Sequence, residues 1–175
     1  MKLHIGSGKV YLPGWVNLDI VSNVIADIHS NALAIPFPLE SFDAIYASHV
    51  LEHFSRHLTL AALTHWRSLL LPGGTLRLAV PSFDAIVDHF NKHHDIEAVM
   101  GLLYGGQNTY SNNHLVVFTR KSLAGMLNLV GFKEIREWDW REVDHGVHDD
   151  YSQAYLPHMD KTNGKLMSLN LEATK

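Results

Sequence analysis

Cysteine is absent from the 175-residue chain, which excludes disulfides and thiolate chemistry. Charge of one sign is also scarce. The net charge is −4 and no basic run stands out, so the electrostatic footprint of a nucleic-acid binder is missing. No apolar stretch reaches the ~18 residues of a membrane helix. The first residues enter a strand-like run without the apolar core of a signal peptide, so a cytoplasmic protein is the expectation. Repeats and low-complexity tracts are missing too. What remains is ordinary globular material, 46% hydrophobic and 18% charged, enough for one domain over residues 1–175. The 13 histidines are the compositional oddity.

Strands and helices alternate along the chain. Leu3–Ile5 reads as the first strand and breaks into Gly6-Ser7-Gly8. Val16–Ile20 is the second strand and carries Asp19 near its end. Only Gly6 to Trp15 connects the two, where a parallel crossover normally needs a dozen residues or more, so the first helix is clipped. Val24–Asp27 reads as a short third strand and Ala44–Ala47 as the fourth. Ser55 is positioned to cap a helix over Arg56–Leu70, which Pro72-Gly73-Gly74 terminates. Thr75–Val80 is the fifth strand, Ser82 caps a second helical stretch, and another helix lies around Asp95–Tyr104. Thr119 caps a helix over Arg120–Val130 with Gly131 at its C′ position. Phe132–Trp138 reads as strand six. Met167, Leu169 and Leu171 alternate with polar residues, the pattern of a half-solvated antiparallel edge strand. Residues 139–165 are polar, aromatic and loop-like, a length that suggests a functional lid. The fold class is α/β, a doubly wound Rossmann-like sheet, mainly parallel, with an antiparallel C-terminal edge strand.

Five stretches in order resemble the class I S-adenosylmethionine-dependent methyltransferases, in particular small proteins with a methyltransferase-type-11-like core. They are Leu3-His4-Ile5-Gly6-Ser7-Gly8, Asp27 with Ile35 to Asp43, Leu51-Glu52-His53, Leu70 to Leu76, and Phe118 to Leu123 with Val130-Gly131-Phe132. The resemblance implies S-adenosylmethionine as cofactor. Gly6, Ser7 and Gly8 would pass under its methionine part. Asp19 would accept both ribose hydroxyls, with Ile20 against the adenine. Asp27 would accept from the adenine amino group, and Ile28 would supply a backbone N–H. Ser48 and His49 would sit near the sulfonium. The acidic residue usual ahead of the glycine loop is missing, with Leu3 and His4 in its place.

The residues themselves argue against a dinucleotide. That ligand needs a third glycine, where Tyr11 stands, and a helix N-terminus for its pyrophosphate. A sulfonium cofactor has no phosphate and tolerates both losses. His49-Val50-Leu51-Glu52-His53 matches the inverted zinc-peptidase motif in letters only, because the segment leaves an apolar strand rather than lying on a helix. The Asp144–Asp150 run is rich in metal-ligand types but contains a glycine and reads as a loop. No metal is expected at either. If the acceptor must lose a proton, His53 and His114 are the candidate bases. The reading is therefore a methyltransferase acting on a small-molecule or glycan-like acceptor, without nucleic-acid or membrane partners. The alternatives are a cofactor-binding sensor or partner subunit without turnover, and a metallohydrolase using the histidine-rich segments.

Overall fold

A computed structural model describes residues 1–109 and 111–175. Its seven-stranded sheet comprises β1 (Lys2–Ile5), β2 (Val16–Asp19), β3 (Ile28–His29), β4 (Phe42–Ser48), β5 (Leu70–Pro81), β6 (Lys133–Glu137) and β9 (Ser168–Thr174). A separate hairpin pairs β7 (Tyr155–Leu156) with β8 (Lys165–Leu166). The sheet order is β3-β2-β1-β4-β5-β9-β6. The strands from β3 to β5 are mutually parallel, and β9 is antiparallel to both its neighbours. The order reverses between β1 and β4, which opens a crevice at the carboxyl ends of the strands, where such sheets bind ligands.

Alternation along the strands sends two different sets of side chains to the two faces. Leu3, Ile5, Ile45, Ala47, Leu76, Leu78, Val80, Leu169 and Leu171 enter one core. That face is covered by α1 (Thr59–Leu69) and α4 (Arg120–Val130), through Ala62, Leu63, Trp66, Leu69, Leu123 and Leu127. Trp66 is wholly buried and satisfies its indole N–H on the Ala32 carbonyl at 2.8 Å. The opposite face lacks a helical layer among the described residues. It is covered instead by the strap 9–15 and by three 3₁₀ turns within residues 140–153. Tyr46 lies at its centre, against His4, Trp15, Trp138 and His145. α2 (Phe83–His93) and α3 (Glu97–Tyr104) pack together with Met167 beyond the end of β5.

Several boundaries follow the expected chemistry. Ser82 accepts from Ala85 N, and Thr119 forms a capping box with Ser122 before a helix that Gly131 ends with φ +99°. Four expectations are corrected. The third strand is Ile28–His29 and not Val24–Asp27, because Asp27 is tied to Asn17 through both its backbone and its carboxylate, and pairing with β2 starts only after it. The first long helix begins at Thr59. Ser55 contributes its carbonyl, which accepts from Leu58 N and Thr59 N, and makes no side-chain cap. The C-terminal strand is antiparallel, as expected, but it lies one place inside the edge, with β6 outside it.

Nor is β9 half-solvated. Ser168, Asn170 and Glu172 are buried along with the leucines between them. The 139–156 segment covers them and supplies partners: Asn170 Nδ2 donates to the Ser152 carbonyl at 3.0 Å. Glu172 accepts from Arg77 and Arg136, at 2.9 and 2.7 Å. Polar alternation reports what a strand face needs, and here the need is met by protein rather than water.

Candidate cofactor and acceptor site

At the carboxyl end of β1 the chain turns through Gly6 with φ +70°. A Cβ at Gly6 would overlap Cγ2 of Val50. Both the conformation and the close approach therefore demand glycine. Gly6 N and Ser7 N both donate to the Leu18 carbonyl, which folds the loop against the end of β2. Gly8, with φ +53°, donates its N–H to Asp19 Oδ2 at 2.7 Å. The other Asp19 oxygen accepts from Val21 N at 2.8 Å. Asp19 is thus a nearly buried carboxylate, fixed by two backbone donors and keeping lone pairs for further donors. Ile20 beside it is 59% exposed, an apolar surface at the mouth of the crevice.

Two hydroxyls at this end of the sheet are buried without a partner, Ser7 Oγ and Ser48 Oγ. Buried polar atoms are rarely left unpaired. Next to Ser48, His49 has φ +52°, a strained conformation for a residue with a Cβ. Its N–H donates to the Ala79 carbonyl, and its ring lies 5.3 Å from that of Tyr151, centroid to centroid.

A 3₁₀ turn over Leu51–His53 follows and brings four titratable side chains together. Glu52 is fully buried, and neither of its carboxylate oxygens has a hydrogen-bond partner. His49 Nδ1 lies 3.2 Å from Glu52 Oε1 and His114 Nε2 lies 3.9 Å from it. Leu115 N donates to the Glu52 carbonyl at 2.8 Å, which carries His114 into the cluster from sixty residues downstream. The His53 and His114 rings meet edge to face at 4.9 Å. Burial pushes the Glu52 carboxyl up to about 8. Burial first, then the neighbouring His114 and His53, holds His49 down at about 3. Burial also lowers His53 and His114. At neutral pH the cluster is an uncharged acid among neutral imidazoles.

Of the residues expected at the site, Gly6, Ser7, Gly8, Asp19, Ile20, Ser48 and His49 gather at the carboxyl ends of β1, β2 and β4, and His53 and His114 gather around Glu52. Asp27 and Ile28 do not join them. The Asp27 carboxylate accepts from Asn17 N, Asn17 Nδ2 and Tyr11 Oη, level with the middle of β2. Ile28 is spent in the pairing with Leu18. Past the end of β3 come Ser30, whose N–H donates to the Asp19 carbonyl, and Asn31. The Asp144–Asp150 run does not converge on any point. Asp144 pairs with Lys2, His145 with Arg77, Asp149 with Lys161 and Asp150 with Tyr46. Of the aromatic residues in and before the long loop, Trp138, Trp140 and Tyr155 pack over the sheet or against one another. Tyr151 alone reaches His49. Sequence reasoning passed over Glu52. The signal was an acid between Leu51 and His53 in the turn that leaves an apolar strand, a position where burial is expected.

A cleft open to solvent lies elsewhere, between α2 and the β7–β8 hairpin. It holds none of these residues. Among the described residues no helix is long and apolar enough to cross a membrane.

Comparison with known proteins gives the family. The model of a methyltransferase domain matches residues 9–137. No curated protein matches in sequence. Solved structures match in fold over nearly the whole chain. A SAM-dependent methyltransferase from Archaeoglobus fulgidus gives a TM-score of 0.60 at 14% identity, covering 99% of this chain and 85% of that one. One from Methanosarcina mazei gives 0.59 at 18%, with coverages of 99% and 91%. A 1,6-didemethyltoxoflavin-N1-methyltransferase from Burkholderia thailandensis, solved with 1,6-didemethyltoxoflavin and S-adenosylhomocysteine, gives 0.58 at 13%, with 99% and 70%. The match to the domain model spans more than half of the chain, and the fold matches these structures over nearly its whole length: the chain belongs to the methyltransferase-domain family.

Proposed function

We propose that this protein is an S-adenosylmethionine-dependent methyltransferase acting on a small-molecule or glycan-like acceptor. The observation that carries the reading is the Gly8–Asp19 hydrogen bond beside the unpartnered Ser7 and Ser48 hydroxyls, all at the topological switch point of the sheet. Residues of this kind fit the cofactor. Asp19 would accept the ribose hydroxyls, and Ile20 offers its exposed side chain to the adenine. Gly6, Ser7 and Gly8 would pass under the methionine part, with Ser48 and His49 toward the sulfonium. The adenine edge is the least supported part, because Asp27 and Ile28 are engaged elsewhere; Ser30 and Asn31 stand nearer to Asp19.

When bound, the cofactor supplies a methyl group on a cationic sulfur that leaves as a neutral thioether. The work of the chain is to hold an acceptor atom in line with that methyl, where positioning alone supplies several kcal/mol of the ~7–11 available from orientation. His53 and His114 are the residues proposed to take a proton from the acceptor, since burial keeps both imidazoles neutral at pH 7. Residues 1–175 are proposed to work as one unit, with 139–165 closing the acceptor side through Tyr151. The cytoplasm is the proposed compartment.

The test is formation of S-adenosylhomocysteine from S-adenosylmethionine across a panel of phenols, amines, carboxylates and sugars. Turnover with any class supports the reading. Binding without turnover on every class would favour a sensor, for which the short 6–15 connection is the supporting feature.

A further inference from the structure

Glu52, His53 and His114 each offer a ligand atom within 4.8 Å of the other two, and theirs is the only such trio found among the described residues. Proximity alone would carry little. The hydrogen bonds of the two histidines add a second argument. His53 Nδ1 faces the Asn113 carbonyl at 3.0 Å, and His114 Nδ1 faces the Leu102 carbonyl at 2.9 Å. A carbonyl can only accept, so each Nδ1 carries the proton and each Nε2 keeps its lone pair. This arrangement, with Nδ1 held by a backbone carbonyl, is how proteins orient a metal-binding histidine.

The third argument is Glu52. It is wholly buried, neither of its oxygens has a hydrogen-bond partner, and one of them stands 3.9 Å from His114 Nε2. His49, with Nδ1 3.2 Å from the same oxygen, backs the carboxylate and acts as a positioning residue.

We propose that Glu52, His53 and His114 bind a divalent transition-metal ion, zinc in the first instance, at the acceptor end of the crevice. Two imidazoles and one carboxylate with an open position make an N,O donor set suited to zinc, iron(II) or cobalt(II), and too soft for magnesium or calcium. The open position would take an anionic oxygen or nitrogen of the acceptor. With the ion in place His53 and His114 are ligands, and the proton-accepting role proposed above lapses. Neither the cofactor pocket nor membership of the family depends on it.

The experiment uses the purified full chain and the metal alone. Zinc affinity is measured by competition with a chromophoric chelator, and cobalt(II) is added to read the visible d–d band of a low-coordinate site. Expected are one tight equivalent in the wild type and at least a tenfold loss of affinity in each of Glu52→Gln, His53→Ala and His114→Ala. The cobalt band should collapse in Glu52→Gln, which keeps the size of the side chain. A double variant of the surface pair His89→Ala and His93→Ala, whose rings lie 4.6 Å apart, should bind as the wild type does. Absence of a tight equivalent, or its loss only with His89 and His93, overturns the proposal. Circular dichroism confirms that each variant is folded. S-adenosylhomocysteine binding, measured in the same samples without metal, separates failure of the metal site from failure of the cofactor site.

Discussion

Gly8 donates its backbone N–H to Asp19 Oδ2 at 2.7 Å. That one bond joins the turn after β1 to the end of β2. It also orients a carboxylate whose second oxygen is fixed by Val21 N. The glycine loop and the acid are therefore a single device. Disturbing either should disturb both.

Gly6→Ala should separate conformational strain from collision. Gly6 and Gly14 both have positive φ, +70° and +79°. A Cβ at Gly14 meets nothing within 4 Å, whereas at Gly6 it overlaps Val50. Gly14→Ala should cost about 1 kcal/mol, the left-handed penalty alone. Gly6→Ala should cost more, about 2–4 kcal/mol once overpacking is added, and should weaken cofactor binding. Urea denaturation of both variants checks the order.

Tyr46→Phe should loosen the coil that replaces a helical layer. Tyr46 Oη donates to Asp150 Oδ2 at 2.6 Å across 104 residues of sequence. Phenylalanine keeps the ring contacts with His4 and His145 and loses only the charge-assisted bond, worth roughly 1.5–3 kcal/mol. Limited proteolysis should show faster cleavage within 139–165, with the sheet intact by circular dichroism.

Stability should fall with acid through His145. Burial first, then the Arg77 guanidinium beside it, holds His145 at about 4 against an ordinary 6.5. The folded state favours the neutral ring, so its contribution is complete above pH 6.5 and is lost as pH falls toward 4. The difference corresponds to roughly 3 kcal/mol. His145→Gln, which can still accept from Arg77, should flatten that part of the stability–pH curve relative to the wild type. Equal slopes in the two proteins would refute this assignment.

Local chemistry was legible in the sequence where neighbouring residues decide it. The Ser82 and Thr119 caps, the Gly131 terminator and the glycine turn after β1 follow from residue type and spacing. Distant packing was not. The polar side of β9 reads as solvated because nothing local tells that residues 139–156 lie over it. Asp27 reads as a strand end because its bonds to Asn17 and Tyr11 depend on the fold of the strap. Glu52 and His114 lie sixty-two positions apart, and the Leu115–Glu52 and His53–Asn113 bonds bring them together.

Calorimetric titration with S-adenosylhomocysteine tests the central claim most directly. The wild type should bind one equivalent. Asp19→Asn, which keeps the side-chain shape and loses the charge, should bind at least about tenfold more weakly, a difference of about 1.4 kcal/mol. Folded wild-type protein that gives no heat of binding, or an Asp19→Asn variant with unchanged affinity, would contradict the account.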